Sequence, residues 1–286
     1  MWSFASKRRW IRFLAIALIV LFFLFNRWGY TQPLLYSVQF YRAMGSVVAS
    51  PEIHPYATAV NPAFIASASS LQCAIGGEQR FLAPGWMEFS STLVVPVQHG
   101  ALAIMVGQEG LPFSYEQQVV LTHGRKMGQD FSFGASLGIR RTKASHFPAT
   151  LFPTGAAGLV FQISESVSTS LSFHYFPMGS STGYSQKDFS VFRCLLAYSA
   201  SEKIQLVASV SKQKAWPAAG TFSIQYQPHR QLGFTAGFSG SPSLFWFGLQ
   251  LALDSHWRLQ LHSGYYPLVG VSNGMNLSYM NKEKQY

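Results

Sequence analysis

The sequence predicts an all-β protein: a closed antiparallel transmembrane β-barrel of about 14 strands, with a short N-terminal plug and a cleavable signal peptide. Three observations predict it. Apolar and polar residues alternate with a period of two from residue 71 almost to the end. Charged residues make up 11% of the chain, less than half the roughly 25% of soluble domains. Helical periods of three to four residues are missing beyond the N-terminus.

The N-terminus carries Lys7, Arg8, Arg9 and Arg12, followed by an uninterrupted apolar run of 13 residues from Phe13 to Phe25. That length suits the core of a secretory signal and falls short of the roughly 20 residues a spanning helix needs. Residues 1–31 therefore read as a signal peptide, with Gly29 and Thr31 ahead of cleavage before Gln32. An uncleaved inner-membrane anchor, flanked by Trp10 and Trp28, is the alternative. The net charge of +10 is half an effect of this segment: without its five basic residues, 16 basic face 11 acidic ones, or +5. The remaining Lys and Arg form no stripe interleaved with aromatics, which excludes a nucleic-acid footprint.

Residues 32–68 lack periodicity and are rich in Pro, Ser and Ala, as irregular backbone is. They form the expected plug, and residues 69–286 the barrel. Strand-like alternation starts at Leu71, Cys73, Ile75 and Phe81, and the turn LAPG at 82–85 reverses the chain. "DFSFGASLGIR", residues 130–140, places Phe131, Phe133, Ala135, Leu137 and Ile139 on one face and only small, polar or charged residues on the other. "TKASHFPATLFPT", residues 142–154, reads as a loop because of its prolines. Further alternating rows continue to Met275, Leu277 and Tyr279.

A water-soluble sandwich also alternates, but its outer face carries Lys and Glu freely. Here the second face is Gly, Ser, Gln, Thr and Ala, while the apolar face is heavy in Phe and Leu. Lipid outside and a crowded polar lumen inside explain both. An open sheet edge in hydrocarbon would leave backbone groups unpaired at several kcal/mol each, so the first strand must meet the last. A secreted periplasmic or surface β-sandwich acting as a binding module is the alternative.

Inward parity assigns the charges Glu78, Arg80, Glu88, Arg140, Lys203, Asp254 and Arg258 to the lumen. Buried charges require partners, so these residues are expected to pair across the lumen or with the plug; a permeant-binding role is the sharper alternative. Cys73 and Cys194 fall on the lipid-facing parity of the first and about the eighth strand, too far apart for a disulfide. The eight histidines show no metal-ligand spacing. Ser172 and His174 share a face, with no acid beside them and about 7 Å between them along a strand. No catalytic residue, cofactor or metal is expected, and the protein is read as a non-enzyme.

The last strand contains "NGMNLSY", residues 273–279, which resembles the polar-Gly-x-x-apolar-x-apolar signal of bacterial outer-membrane barrels. Gly274, Leu277 and Tyr279 are its matching positions, and the barrel-assembly machinery is the partner it implies.

"AVNPAFIASASSLQCAIGGEQRF", "YEQQVVLTHGRKM" with "FSFGASLGIR", and the closing "LGFTAGFSGSPSLFWFGLQLALDSHWRLQLHSGYYPLVGVSNGMNLSY" together resemble the outer-membrane barrels of Bacteroidota related to type IX secretion accessory proteins of the PorV/PorQ kind. These are themselves similar to the long-chain fatty-acid transporters. The resemblance covers roughly residues 55–280, and its landmark is Asn61-Pro62-Ala63. It implies an N-terminal hatch folded into the barrel from the periplasmic side and an outer-membrane location in a Gram-negative cell. It further implies either passage of small hydrophobic compounds or an accessory role in protein export or envelope assembly, with secretion components as partners. The family's glycine-rich opening before the landmark is reduced here to "AMGSVVASPEIHPYATAV", and the chain is shorter than the transporters.

Overall fold

The computed structural model describes residues 54–176, 189–213, 217–240, 243–267 and 269–281. The expected signal peptide and residues 32–53 of the expected plug lie outside them. Fourteen strands follow one another: β1 Gln72–Gln79, β2 Met87–Val97, β3 Gly100–Leu111, β4 Ser114–Lys126, β5 Phe131–Lys143, β6 Thr150–Ser164 and β7 Val167–Phe176, then β8 Phe189–Ser201, β9 Ile204–Gln213, β10 Ala219–His229, β11 Leu232–Gly240, β12 Ser243–Ala252, β13 Trp257–Tyr266 and β14 Gly270–Met280. Each pairs antiparallel with the next, and β14 returns to β1 through Leu277↔Ile75 and Tyr279↔Cys73. The ring is closed, so no sheet edge is left open and a sandwich is excluded.

The two faces of the wall follow from the alternation. On β5, Leu137 is 76% and Phe133 40% exposed on the outside, while Ser136 is buried within. Phe247 and Phe245 of β12 point outward as well, and Trp246 between them is buried inside. A pleated strand sends successive side chains to opposite faces, so the period of two becomes an apolar exterior and a polar interior, the arrangement of a wall set in hydrocarbon.

The joins differ between the two ends. At the end where β1 begins, the strands are connected by two to four residues, as at 98–99, 165–166 and 253–256. At the far end the described joins range from two residues at 112–113 to six at 144–149 and seven at 80–86.

Two expectations are corrected. Residues 142–154 are not one loop: β5 runs to Lys143 and β6 starts at Thr150, with Pro153 opposite Ile139. Proline fixes φ near −65° and removes one donor, which an extended strand tolerates at the cost of a single ladder bond. Phe81 does not continue the outer row of β1, because Arg80–Leu82 form a 3-10 turn in which Phe81 and Leu82 take φ of 54° and 50°. That turn swings the ring into the lumen.

Candidate functional site

Residues 54–68 lie inside the ring as two 3-10 turns, Pro55–Ala59 and Pro62–Ser67. Each starts with proline after a capping residue, the favoured order because proline's missing N–H is one that a helix start leaves unpaired anyway. His54 Nδ1 accepts from the Tyr56 N–H, and Asn61 Oδ1 accepts from the Ala63 N–H at 2.8 Å. The segment is almost wholly buried. Tyr56, Ala57, Val60 and Phe64 pack on Ala74, Leu195, Ala197 and Val207, apolar residues that interrupt the polar lumen of β1, β8 and β9.

The wall accommodates this segment through one row of residues. Gly124, Gly134 and Gly158 stand directly opposite one another on β4, β5 and β6, and Ser172 of β7 is next in the row. A Cβ on Gly134 would overlap the backbone of Pro62, and one on Gly158 the side chain of Asn61. The three glycines thus form a trough for Asn61, Pro62 and Ala63. Asn61 Nδ2 donates to the carbonyls of Leu159 and Leu171, both at 3.0 Å, bridging β6 and β7. Ser172 Oγ donates to the Val60 carbonyl at 3.0 Å, and His174 Nε2 meets the same oxygen at 3.0 Å. Ser172 and His174 therefore both serve the segment's backbone rather than each other.

A second row carries charge. Glu78, Glu88, Glu109 and Glu116 oppose one another across β1, β2, β3 and β4, all facing inward. Like charges directly opposite are destabilising, so the row needs cations. Arg80, fully buried, reaches Glu109 at 2.8 Å, Glu88 at 3.1 Å and Glu78 at 3.7 Å. Arg140 reaches Glu116 at 3.4 Å. His262 contacts Glu78 at 2.9 Å by lying across Gly274, where a Cβ would collide with the imidazole.

Arg80 also anchors the turn that covers the far end of the lumen. The Phe81 N–H donates to Ser272 Oγ at 2.9 Å. Its ring meets Trp86 and Tyr266 edge-on at 5.4 and 5.2 Å and packs on a cluster of Leu244, Trp246 and Tyr266. Non-glycine residues in the left-handed region cost roughly 1–3 kcal/mol each, and the buried ion pairs and ring contacts hold them there.

Two cavities flank the luminal segment. One of about 50 Å³ lies on its far side, between Thr58 and the wall at Met105, Thr122, Arg140, His174 and Phe176. The other, about 270 Å³, opens at the near end beside His54 and is lined by Gln205, Gln225, Gln250, Arg258 and Gln260.

The residues singled out from sequence divide accordingly. Glu78, Arg80 and Glu88 meet in one cluster, Arg140 joins it through Glu116, and Arg258 stands apart in the wall of the near cavity. Lys203 lies at the mouth of that same cavity, and Asp254 is not a lumen charge. Both are exposed in near-end hairpins, and Asp254 caps its own turn by accepting from the Trp257 and His256 N–H groups at 2.6 Å. Those bonds hold its carboxyl below the usual range. Leu277 and Tyr279 point outward, Tyr279 against Trp257 and His256 at the near rim, while Gly274 faces the lumen. Cys73 and Cys194 are free thiols. Glu109, Glu116 and His262 were not singled out, although the register that turn lengths impose contained them.

No protein-family model and no curated protein sequence matches the chain. Solved structures do match in shape. The toluene transporter TodX of Pseudomonas putida superposes with a TM-score of 0.59 at 12% identity, over 88% of this chain and 98% of that one. The toluene transporter TbuX of Ralstonia pickettii gives 0.57 at 12%, over 88% and 98%. A FadL homologue of Pseudomonas aeruginosa gives 0.53 at 13%, over 82% and 95%. At these identities the likeness is one of fold.

Proposed function

We propose that this chain is an outer-membrane channel for small hydrophobic compounds, held closed by residues 54–68 acting as a plug. The observation that carries this reading is the occluded lumen: the segment is docked in a glycine trough with a cavity on either side, which argues against an open aqueous pore. At the far mouth the partly exposed rings of Phe81 and Trp86, backed by the buried Trp246 and Tyr266, give an apolar solute a surface to enter on. Uniformly short joins at the near end, and the longer joins 80–86 and 144–149 at the far end, match the periplasmic and extracellular ends of outer-membrane barrels. The shared architecture with toluene transporters supports the same solute class. In this reading residues 1–31 are the export signal, residues 32–68 the hatch, and β14 with Gly274, Leu277 and Tyr279 the segment read by the barrel-assembly machinery.

The second reading is an accessory barrel in protein export, of the type IX secretion kind, and the resemblance around Asn61-Pro62-Ala63 favours it. One experiment separates the two. Cells lacking other hydrocarbon channels, with and without this protein in the outer membrane, are measured for initial uptake of labelled toluene. The channel reading expects faster uptake with the protein and no added ion conductance. Unchanged uptake, with secretion components recovered alongside the purified protein, favours the accessory role.

A further inference from the structure

The outside of the barrel is not uniform at its far rim. On six strands outward positions there are aromatic: Phe89, Tyr175, Phe192, Phe238, Phe245 and Tyr265. On β3, β4 and β5 they are Gln108, Gln117, Arg141 and Lys143, with Tyr115 beside Lys143. Lys212 of β9 is a further outward cation on that rim. Gln108, Gln117 and Arg141 are a directly opposed row bound side chain to side chain: Gln117 Nε2 donates to Gln108 Oε1 at 2.8 Å, and Arg141 Nη1 donates to Gln117 Oε1 at 3.1 Å. The two acids of these strands, Glu109 and Glu116, face the lumen. Two cations therefore sit on this sector with no carboxylate on the outer face of β3, β4, β5 or β6 to neutralise them.

Their height fits a membrane surface. From Phe131, where the outer apolar row of β5 begins, to Arg141 is about 34 Å along a strand, or about 26 Å once tilted, close to the roughly 25 Å apolar band of such barrels. A charge on the lipid face is tolerated near the interface and costly at mid-depth. Long basic side chains lay their stems on apolar surface and lift their charge to the headgroups. The guanidinium is oriented by Gln117 and keeps other N–H groups for a phosphate, which it binds in a fork.

We propose that Arg141, held in place by Gln117 and Gln108, and Lys143 at its side bind the phosphate of an anionic glycolipid headgroup in the outer-facing leaflet. The inference rests on the outer-membrane reading given above. Its contribution is to fix one sector of the barrel to a charged lipid.

The test uses the full-length protein purified in detergent and titrated with bis-phosphorylated lipid A, bound lipid being counted by native mass spectrometry. Retention of lipid A by the wild type, a loss of roughly ten-fold or more in the double variant Arg141→Gln/Lys143→Gln, and weak binding of phosphate-free lipid A support it. Lys203→Gln, in a near-end hairpin, should bind as the wild type does. Equal binding by wild type and double variant, or equal binding with and without the phosphates, overturns it. A heat-dependent gel shift retained by each variant shows that the barrel is closed. Toluene uptake by the double variant should match the wild type, so a failed lipid site and a failed channel reading give different results.

Discussion

Gly158 lies directly beneath Asn61: a Cβ at position 158 would occupy the place of the Asn61 carboxamide. The luminal segment is thus seated by the absence of a side chain as much as by its own bonds. Gly158→Val should unseat Asn61 and Pro62 and raise ion conductance in planar bilayers. Gly155→Val, on the outward parity of the same strand and with only ordinary contacts near its Cβ, should leave conductance at the wild-type level. Asn61→Ala removes both bonds to the wall carbonyls and should loosen the segment by about 1–3 kcal/mol.

The glutamate row makes an asymmetric prediction. Its four carboxylates face two guanidinium groups, so removing a cation is worse than removing an acid. Arg80→Met should lower the unfolding free energy in urea by about 3–5 kcal/mol, the penalty for stranding buried charges. Glu109→Gln should cost clearly less. The reverse order would show that Arg80 is not what holds the row together.

Ser172 and His174 should have no hydrolytic role, since both turn to the Val60 carbonyl. A fluorophosphonate probe is expected to leave Ser172 unlabelled. Ser172→Ala should cost about 1 kcal/mol, read as faster amide exchange at Val60, Asn61 and Ala63.

Acid should loosen the first turn of the luminal segment. Burial pushes His54 down to about 4 from an ordinary value of about 6.5. The neutral imidazole is therefore favoured in the folded state, and its contribution is complete above about pH 6.5 and lost as pH falls through about 4. After correction for intrinsic rates, the Tyr56 and Ala57 amides should exchange faster across that window. His54→Asn keeps a capping acceptor without the titration and should remove the dependence.

The strand count and the inner and outer parity were legible in the sequence because both are properties of a single strand. Glu78, Arg80 and Glu88 were found that way. Glu109 and Glu116 needed register between strands, which the turns supply: the two-residue join at 112–113 sets 109 opposite 116, and that at 98–99 sets 88 opposite 109. Asp254 was misassigned to the lumen because alternation was carried past the end of β12 into a hairpin. The glycine trough was invisible one strand at a time, since Gly124, Gly134 and Gly158 form a surface only when β4, β5 and β6 lie side by side.

The most direct test of the whole account compares two neighbouring positions on β5. Spin labels at Leu137 and Ser136, in the protein reconstituted into lipid, are probed by collision with oxygen and with a water-soluble nickel complex. The label at 137 should meet oxygen at hydrocarbon depth and escape nickel, while the label at 136 should meet little of either. A label at 137 shielded from oxygen, or one at 136 immersed in lipid, would contradict a barrel with this inside and this outside.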